Sequence, residues 1–263
     1  MDQEIEWLLM EKYKGEKNDA FFADCKRLAL GESLGYLIGF VPFLDCQIWL
    51  DSHPLIPRPE TEYWTELAIN EIKQSLKTPE GSPRETTAEI KRAVPSDPHV
   101  LDLCAGSGCI GVAVAKAIPE AIVDFCEIDL SHMPTIEKNL SRNSLARERS
   151  TIYHANLFAG LQNTYDFILT NPPYIDAALN RTDESVLKNE PYIALFGGED
   201  GLEVIKAIIK QAPSHLHPHG QLWIEHEPEQ VEKITLLAEE HGFSCIAHTD
   251  QYGVYRFSTL VLQ

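Results

Sequence analysis

Residues 100–111 carry the clearest indication of the fold, and they read VLDLCAGSGCIG from Val100 to Gly111. Apolar residues of a strand lead into a glycine-rich turn, and a helical run from Ile110 to Ile118 begins at its end. Glycine lets the backbone turn sharply and approach a ligand closely, and the start of the helix offers unpaired N–H groups. A strand, a glycine loop and a helix in this order therefore predict a binding loop for a nucleoside ligand.

Two acidic residues, Glu127 and Asp129, follow the next predicted strand, Ala121–Phe125. A carboxylate at this end of a strand can accept the hydrogens of both ribose hydroxyls. The glycines at 106, 108 and 111 also match the fingerprint of dinucleotide-binding folds. The loop alone therefore leaves a nicotinamide or flavin enzyme and an S-adenosylmethionine enzyme open as alternatives.

Strand-like and helical runs alternate in the rest of the chain. The strands are predicted at Val100–Leu103, Ala121–Phe125, Thr151–Tyr153, Phe167–Leu169 and Leu222–Ile224, and the helices at Ile110–Ile118, Thr135–Arg142, Leu202–Gln211 and Glu229–His241. This alternation predicts an α/β fold whose parallel sheet is covered by helices on both faces. In such sheets ligands bind beyond the carboxyl ends of the strands.

The first part of the chain has a different pattern. It is predicted to hold helices over residues 1–37, a hairpin over 38–57, a helix from Pro57 to Leu76 and a polar loop over 78–98. We therefore expect a short helical N-terminal region with a β-hairpin over residues 1–60 and a main domain over residues 61–263.

The composition limits the class of partner. Among 263 residues, 22 Lys and Arg stand against 40 Asp and Glu, a formal net charge of −18. Phosphate binding depends mainly on Lys and Arg, so direct binding to nucleic acid is disfavoured. The six cysteines form no CxxC pair and the N-terminus is acidic, which predicts reduced thiols in the cytoplasm. The longest uncharged run, residues 103–115, is too short to span a membrane.

The tetrapeptide Asn171-Pro172-Pro173-Tyr174 follows the predicted strand Phe167–Leu169 and indicates the chemistry. The side-chain carbonyl of Asn171 and the backbone carbonyl of Pro172 can each accept one hydrogen of a planar NH2 group, which aims the nitrogen at a methyl donor. The two prolines hold the backbone rigid, and Tyr174 can pack on the flat substrate group. Because a dehydrogenase has no use for this arrangement, the tetrapeptide favours an S-adenosylmethionine-dependent methyltransferase.

Together these motifs resemble those of the HemK/PrmC family, the N5-glutamine methyltransferases of peptide chain release factors. The matching stretches are Glu32–Gly39, Leu55–Glu62, Asp102–Gly108, Asn171–Ile175, Glu190-Pro191 and Ala194–Leu202. Asn-Pro-Pro-Tyr is shared with amino methyltransferases of DNA and RNA, whereas the stretches at 55–62 and 197–202 are more particular to glutamine methyltransferases.

The resemblance implies a class I S-adenosylmethionine-dependent methyltransferase, with a Rossmann-like seven-stranded sheet behind a small helical N-terminal region. The acceptor would be the glutamine of the Gly-Gly-Gln motif of release factors, bound by Asn171, Pro172, Pro173 and Tyr174. The cofactor would be bound by Asp102, Cys104, Ala105, Gly106, Ser107, Gly108, Glu127 at the ribose, Asn156 and Leu157 at the adenine, and Asn171. A monomer that contacts no membrane is expected.

The sequence departs from the family pattern in four places. Asn156 stands where the family usually has Asp, and it can still accept from an exocyclic amine. Glu127 stands where the family usually has Asp, and we prefer it to Asp129 as the ribose ligand because it keeps the family's spacing from Asp102. The family's Glu-Ile-Gly-x-x-Gln pattern appears here as Glu225-His226-Glu227-Pro228-Glu229-Gln230. The helical N-terminal region is shortened.

Three other functions remain open at this point. The chain could methylate an exocyclic amine of RNA or DNA. It could be a degenerate, non-catalytic paralogue that binds S-adenosylmethionine or only a protein partner, as the shortened N-terminal region suggests. An NAD enzyme is the third alternative.

Other chemically interesting residues receive structural interpretations. The histidines at 215, 217 and 219 are interpreted as a turn before a strand rather than a metal site. The acids at 225, 227 and 229 are interpreted as a strand end followed by a solvated helix start. Arg58 and Glu60 either bind ligand or begin a helix, while Cys109 and Cys126 are expected to pack as small apolar residues.

Overall fold

The computed structural model describes residues 2–76, 97–179 and 183–263. Residues 78–96 of the predicted polar loop lie outside the described residues. The first part of the chain contains three helices, a hairpin and a long helix: α1 (Asp2–Glu11), α2 (Asp19–Ala29), α3 (Leu34–Ile38), β1 (Phe40–Phe43), β2 (Cys46–Trp49) and α4 (Pro59–Leu76). The predicted helical run, hairpin and helix are thus confirmed as elements, while the division into two domains at residue 60 stays a prediction.

The rest of the described chain alternates between strands and helices. The strands are β3 (His99–Leu103), β4 (Ile122–Glu127), β5 (Ser150–His154), β6 (Tyr165–Thr170), β7 (Leu216–Glu225), β8 (Phe243–Thr249) and β9 (Tyr255–Leu262). The α-helices are α5 (Cys109–Ala117), α6 (Met133–Arg142), α7 (Glu184–Asn189), α8 (Tyr192–Leu195), α9 (Glu203–Gln211) and α10 (Val231–Glu240).

These seven strands form one sheet in the order β5-β4-β3-β6-β7-β9-β8. They confirm the α/β fold and the seven-stranded sheet that the resemblance implies. The sheet is mixed, however, because β9 runs antiparallel to both β7 and β8. The five predicted strands, β3 to β7, run parallel as expected. The strands β8 and β9 were not predicted, and the short turn at residues 250–254 joins them directly without a crossover helix.

Each face of the sheet packs against its own apolar core. Val100 and Phe167 lie in one core and their chain neighbours Leu101 and Ile168 in the other. Side chains alternate between the two faces of a strand, so β3 and β6 are apolar on both sides, as strands at the centre of a covered sheet must be. The rigid centre of the molecule therefore lies directly behind the loops that follow these two strands.

The order of the strands changes direction between β3 and β6. The chain first adds β4 and β5 on one side of β3 and then places β6 on the other side, parallel to β3. Leu103 and Thr170 are paired at the carboxyl ends of the two strands, and the Thr170 hydroxyl donates to the Leu103 carbonyl over 2.7 Å. The glycine loop and Asn171 therefore leave the sheet side by side. This reversal is where ligands bind in open α/β sheets.

None of the helices in the described residues is long and apolar enough to cross a membrane.

His226, just after β7, gives the fold a testable pH dependence. The ring is fully buried, with Nδ1 2.9 Å from the Glu227 carbonyl and Nε2 2.8 Å from the Ser258 hydroxyl. Burial lowers the pKa of this imidazole from 6.5 to about 4. The unfolded chain binds a proton between these values and the folded chain does not, so stability falls as the pH drops through this window, by up to about 3 kcal/mol.

Denaturant unfolding of the wild type and His226→Gln at both ends of this window measures the effect. We expect the free energy of unfolding to change less with pH in the variant, because its side chain takes up no proton when the chain unfolds. Equal pH dependence in the two proteins would contradict a neutral, buried His226.

Candidate active site

Two cavities meet at Asn171, beyond the carboxyl ends of β3 and β6. The first, the glycine-loop cavity, is lined in part by Cys104, Gly106, Glu127, Asn156, Leu157 and Pro173. The second, the Pro172 cavity, is lined in part by Arg58, Pro172, Tyr174, Val186 and Leu195. Leu55, Asn171 and Ala194 line both. Of the predicted acceptor residues, Pro172 and Tyr174 therefore line the Pro172 cavity, Pro173 lines the glycine-loop cavity with several predicted cofactor residues, and Asn171 lines both.

Backbone conformation shapes the glycine-loop cavity. Cys104 and Leu157 both line it with left-handed backbone, at φ values of 60° and 52°. Such values are uncommon for residues with a side chain and cluster at functional sites. Gly106, at φ 54°, has open space in front of it: a Cβ there would meet only Pro54, 3.9 Å away, among the described residues. Close approach by a ligand is therefore possible along this part of the loop.

Gly111 has a different role. A Cβ at this position would overlap the ring of Phe125 on β4 and would lie 3.0 Å from the Cβ of Asp102. The third glycine of the loop is therefore needed to pack α5 against the sheet, while Gly106 leaves room for a ligand.

The structure distinguishes the two acids that follow β4. Glu127 is 7% exposed and lines the glycine-loop cavity; it accepts from the backbone N–H of Gly106 over 2.7 Å and from that of Asp129 over 2.8 Å. The Asp129 carboxylate instead accepts from the N–H of Ser131 over 2.8 Å and caps a short 3₁₀ helix. Of the two, Glu127 holds the position from which a ribose could be bound.

Asp102 is fully buried behind the loop. Its Oδ2 accepts from the N–H of Gly111 over 2.8 Å, while its Oδ1 is buried without a hydrogen-bond partner among the described residues. Burial raises the pKa of this carboxyl well above its usual value. Of the described loop residues predicted to bind the cofactor, Cys104 and Gly106 line the cavity, whereas Asp102, Ala105, Ser107 and Gly108 lie behind it.

The Asn-Pro-Pro-Tyr motif follows β6 and is held by buried partners. The side-chain NH2 of Asn171 donates to the hydroxyl oxygen of Thr61 over 3.1 Å. The hydroxyl of Tyr174 donates to Oε1 of Glu225 over 2.9 Å. Burial raises the pKa of this phenol well above its usual value, so Tyr174 stays a neutral donor with its ring fixed beside the Pro172 cavity.

Residues 197–201 support the motif from behind. The side-chain NH2 of Gln230 donates to the backbone carbonyls of Tyr174 and Asp200, over 2.9 and 3.0 Å. A Cβ at Gly197 would lie 2.5 Å from the carbonyl oxygen of Pro173, and one at Gly201 would overlap that of Tyr174. The Gly-Gly-Glu-Asp-Gly run therefore allows close backbone packing against the tetrapeptide.

The sequence predicted that Arg58 either binds ligand or begins a helix. In the structure, Arg58 forms an ion pair with Glu190. Its Nη2 donates to Oε1 of Glu190 over 2.6 Å, and Oε2 accepts from the N–H of Ile56 over 3.1 Å. Glu190 is 6% exposed, so the pair fixes the segment before α4 to the wall of the Pro172 cavity. Glu60 lies in the first turn of α4, where a carboxylate stabilises the helix dipole.

Glu225 ends β7, as predicted, and is only 1% exposed. Its Oε2 accepts from the Thr61 hydroxyl over 2.7 Å and from the Trp64 indole N–H over 2.6 Å, in addition to the Tyr174 hydroxyl at Oε1. Burial raises the pKa of the carboxyl, and the three donors counteract that rise.

Sequence reasoning missed Thr61, Trp64 and Gln230 as parts of this site. Thr61 stands in a stretch that carries the family resemblance, and Gln230 keeps the final glutamine of the altered Glu-Ile-Gly-x-x-Gln pattern, so a signal was present for both. Of the histidines interpreted as a turn, His217 lies 3.1 Å from Asp166 at the amino end of β6, and His215 stacks on Phe158. The turn interpretation holds for His215 but is wrong for His217 and His219, because β7 already begins at Leu216. All three histidines lie at the end of the sheet opposite the two cavities.

Comparisons with known proteins identify the family of this chain. The family model of the methyltransferase small domain matches residues 88–187. The release factor glutamine methyltransferase of Rhodopirellula baltica is 34% identical, with 86% of this chain and 72% of that protein covered. The ribosomal protein uL3 glutamine methyltransferase of Bradyrhizobium diazoefficiens is 32% identical, covering 76% of this chain and 59% of that protein.

A solved structure described as a methyltransferase from Pyrococcus furiosus superposes with a TM-score of 0.54 at 16% identity, covering 91% of this chain and 97% of that one. At this level of identity the likeness supports the fold alone. Membership is shown by the sequence identity over most of both chains: this chain belongs to the family of release factor glutamine methyltransferases.

Proposed function

We propose that this protein transfers a methyl group to the side-chain amide nitrogen of the glutamine in the Gly-Gly-Gln motif of peptide chain release factors. Enzymes of this family use S-adenosyl-L-methionine, which supplies an electrophilic methyl group. The observation that carries the proposal is the position of Asn171 in the shared wall of the two cavities. A side chain there can contact a bound cofactor and an incoming amide together.

The glycine-loop cavity fits the cofactor. Glu127 offers a carboxylate to the ribose hydroxyls, and Asn156 and Leu157 would border the adenine. Cys104 and Gly106 leave room for the methionine end. The other predicted loop residues would hold the loop in place without touching the cofactor; these are Asp102, Ala105, Ser107 and Gly108.

The Pro172 cavity fits a glutamine amide. The Asn171 side-chain oxygen and the Pro172 backbone carbonyl would each accept one amide hydrogen, which holds the nitrogen in place and directs it across Asn171. The substrate nitrogen would gain the methyl group as the methyl–sulfur bond of the cofactor breaks, which leaves the cofactor as a neutral thioether. The nitrogen then loses one proton, which can leave to solvent after transfer. A general base is therefore unnecessary.

Methyl-labelled S-adenosylmethionine, incubated with purified release factor, ribosomal protein uL3 or total RNA, tests the proposal. We expect label on the release factor, and its loss when the glutamine of the Gly-Gly-Gln motif is changed to glutamate. Mass spectrometry of the tryptic peptide would place the methyl group. Label on uL3 or on RNA alone would overturn the assignment to release factors, and no label at all would favour the non-catalytic alternative.

We further propose that the protein acts as a cytoplasmic monomer without binding nucleic acid or membranes directly. The net charge of −18 opposes a polyanionic substrate and favours a basic protein partner. Residues 1–60 would form the docking region: Trp7 and Met10 on α1 and Phe22 on α2 are each at least half exposed. Light scattering of the purified protein tests the monomer, and removal of these apolar side chains should raise KM for the release factor.

Glu127→Gln is expected to weaken cofactor binding by about tenfold to 100-fold, because ribose hydroxyls hydrogen-bond more strongly to a carboxylate than to an amide. Asp129→Asn is the matched control and should change the Kd little, since Asp129 caps a 3₁₀ helix instead. Isothermal titration with S-adenosylmethionine measures both. A larger loss for Asp129→Asn would move the ribose site to that residue.

A further inference from the structure

The Glu225 carboxylate accepts hydrogen bonds from three side chains, which come from two distant parts of the chain. Thr61 and Trp64 reach it from the first turns of α4, and Tyr174 reaches it from the loop after β6. The carboxylate is buried, so each donor is held in one direction. In each of these hydrogen bonds, the number of hydrogens that each side chain can donate therefore determines which atom donates and which accepts.

The hydroxyl of Thr61 decides the orientation of the Asn171 amide. Trp64 can only donate and the carboxylate of Glu225, when ionised, can only accept, so Oε2 takes the single hydroxyl hydrogen of Thr61 at 2.7 Å. The Thr61 oxygen must then accept from whatever faces it. Of the two ends of the Asn171 amide only the NH2 can donate, and it lies 3.1 Å from that oxygen.

We propose that Thr61 and Glu225 are positioning residues, which fix the Asn171 amide with its NH2 toward Thr61 and its oxygen free to accept from the substrate. This inference rests on the proposed function for its consequence in catalysis. The amide oxygen and NH2 of asparagine are nearly equal in size, so shape alone does not select one orientation. The polarity of the Thr61 hydroxyl does.

A reversed amide would oppose the proposed reaction. The NH2 of Asn171 would then face the NH2 of a substrate amide, placing two donors against each other and leaving a substrate hydrogen without its acceptor. The contacts between the enzyme and the rest of the protein substrate would change little, because the reversed Asn171 amide affects only the reacting amide group. The cost is therefore expected in kcat rather than in KM.

Three variants of α4 test the inference. Thr61→Val keeps the shape and removes the hydroxyl, while Thr61→Ser keeps the hydroxyl. Thr65→Val is the matched control: Thr65 is also buried, one turn further along α4, and its hydroxyl donates to the Thr61 carbonyl over 2.7 Å. We expect Thr61→Val to lower kcat by about tenfold to 100-fold with unchanged KM and cofactor Kd. Thr61→Ser and Thr65→Val should stay near the wild type.

A second measurement does not depend on turnover. The side-chain NH2 signals of Asn171, assigned in a nitrogen-15 spectrum by their loss in Asn171→Asp, should exchange with solvent faster in Thr61→Val than in the wild type or Thr65→Val. If the wild type methylates no release factor, the proposed function fails while this spectrum still decides the orientation. Unchanged exchange, or a kcat for Thr61→Val equal to that of Thr65→Val, would overturn the positioning role.

Discussion

Replacing Asn171 by alanine is expected to lower methyl transfer by about 10³-fold while leaving S-adenosylmethionine affinity within a small factor of the wild type. The variant removes the side-chain oxygen that would accept one hydrogen of the substrate amide. It leaves the backbone carbonyl of Pro172, which would hold the other hydrogen but cannot fix the direction of the nitrogen alone. The loss should therefore appear in kcat.

The geometry explains why so large an effect should fall on turnover and not on cofactor binding. Asn171 is one residue in the wall of the glycine-loop cavity, whereas Cys104, Gly106 and Glu127 line that cavity independently of it. The Asn171 side chain is half-buried and lies just after the carboxyl end of β6. Its removal should therefore leave a small space without disturbing the strand pairing of β6.

The measurement is single-turnover transfer of labelled methyl to release factor at saturating cofactor, with the cofactor Kd measured in parallel. Asn163→Ala is a suitable control, because Asn163 is exposed and lies just before β6 at the other end of the strand. Turnover in Asn171→Ala comparable to that of Asn163→Ala would remove Asn171 from the mechanism. An equal loss of cofactor affinity would instead make it a cofactor ligand first.

The order of elements could be predicted because it depends on local pattern. The glycine loop, the strands at the centre of the sheet and the helices between them each have a periodicity or a turn chemistry of their own. The antiparallel edge was missed for the opposite reason. β8 alternates between buried and exposed residues and β9 follows it after a short turn, so their direction depends on pairing with each other and with β7.

Sequence reasoning proposed residues that line the two cavities, but it missed the residues that support them. The Asn-Pro-Pro-Tyr motif and Glu127 are recognisable because their chemistry is local to one strand end. Glu225 was predicted as a strand end, but its role as a buried acceptor was missed because its partners, Thr61 and Trp64, stand more than 150 residues earlier in the chain. Only the fold brings these groups together.

The largest expected effect on stability comes from Gly201→Ala. The backbone at Gly201 is left-handed, with φ of 66°, and an added Cβ would overlap the backbone carbonyl of Tyr174 and lie 2.7 Å from Nε2 of Gln230. The overlapping atom is a backbone carbonyl oxygen, which cannot move aside as the end of a flexible side chain can. We expect a loss of about 3 kcal/mol from overpacking, in addition to about 1 kcal/mol for the left-handed conformation.

Gly160→Ala isolates the second of these costs. Gly160 is also left-handed, with φ of 83°, but a Cβ there would meet no heavy atom of the described residues within 4 Å. Denaturant unfolding of the two variants therefore measures the overlap as the difference between them. A Gly201→Ala variant no less stable than Gly160→Ala would mean that residues 197–201 do not pack on the tetrapeptide in solution.

The same pair of variants connects stability to the reaction. The carbonyl that Gly201 contacts belongs to Tyr174, three residues from Asn171, and the side-chain NH2 of Gln230 donates to that carbonyl over 2.9 Å. Displacing it should move the whole Asn-Pro-Pro-Tyr loop, so folded Gly201→Ala is expected to lose turnover at a temperature where it is still native. Gly160→Ala should not. Full activity in folded Gly201→Ala would show that the loop keeps its geometry without support from residues 197–201.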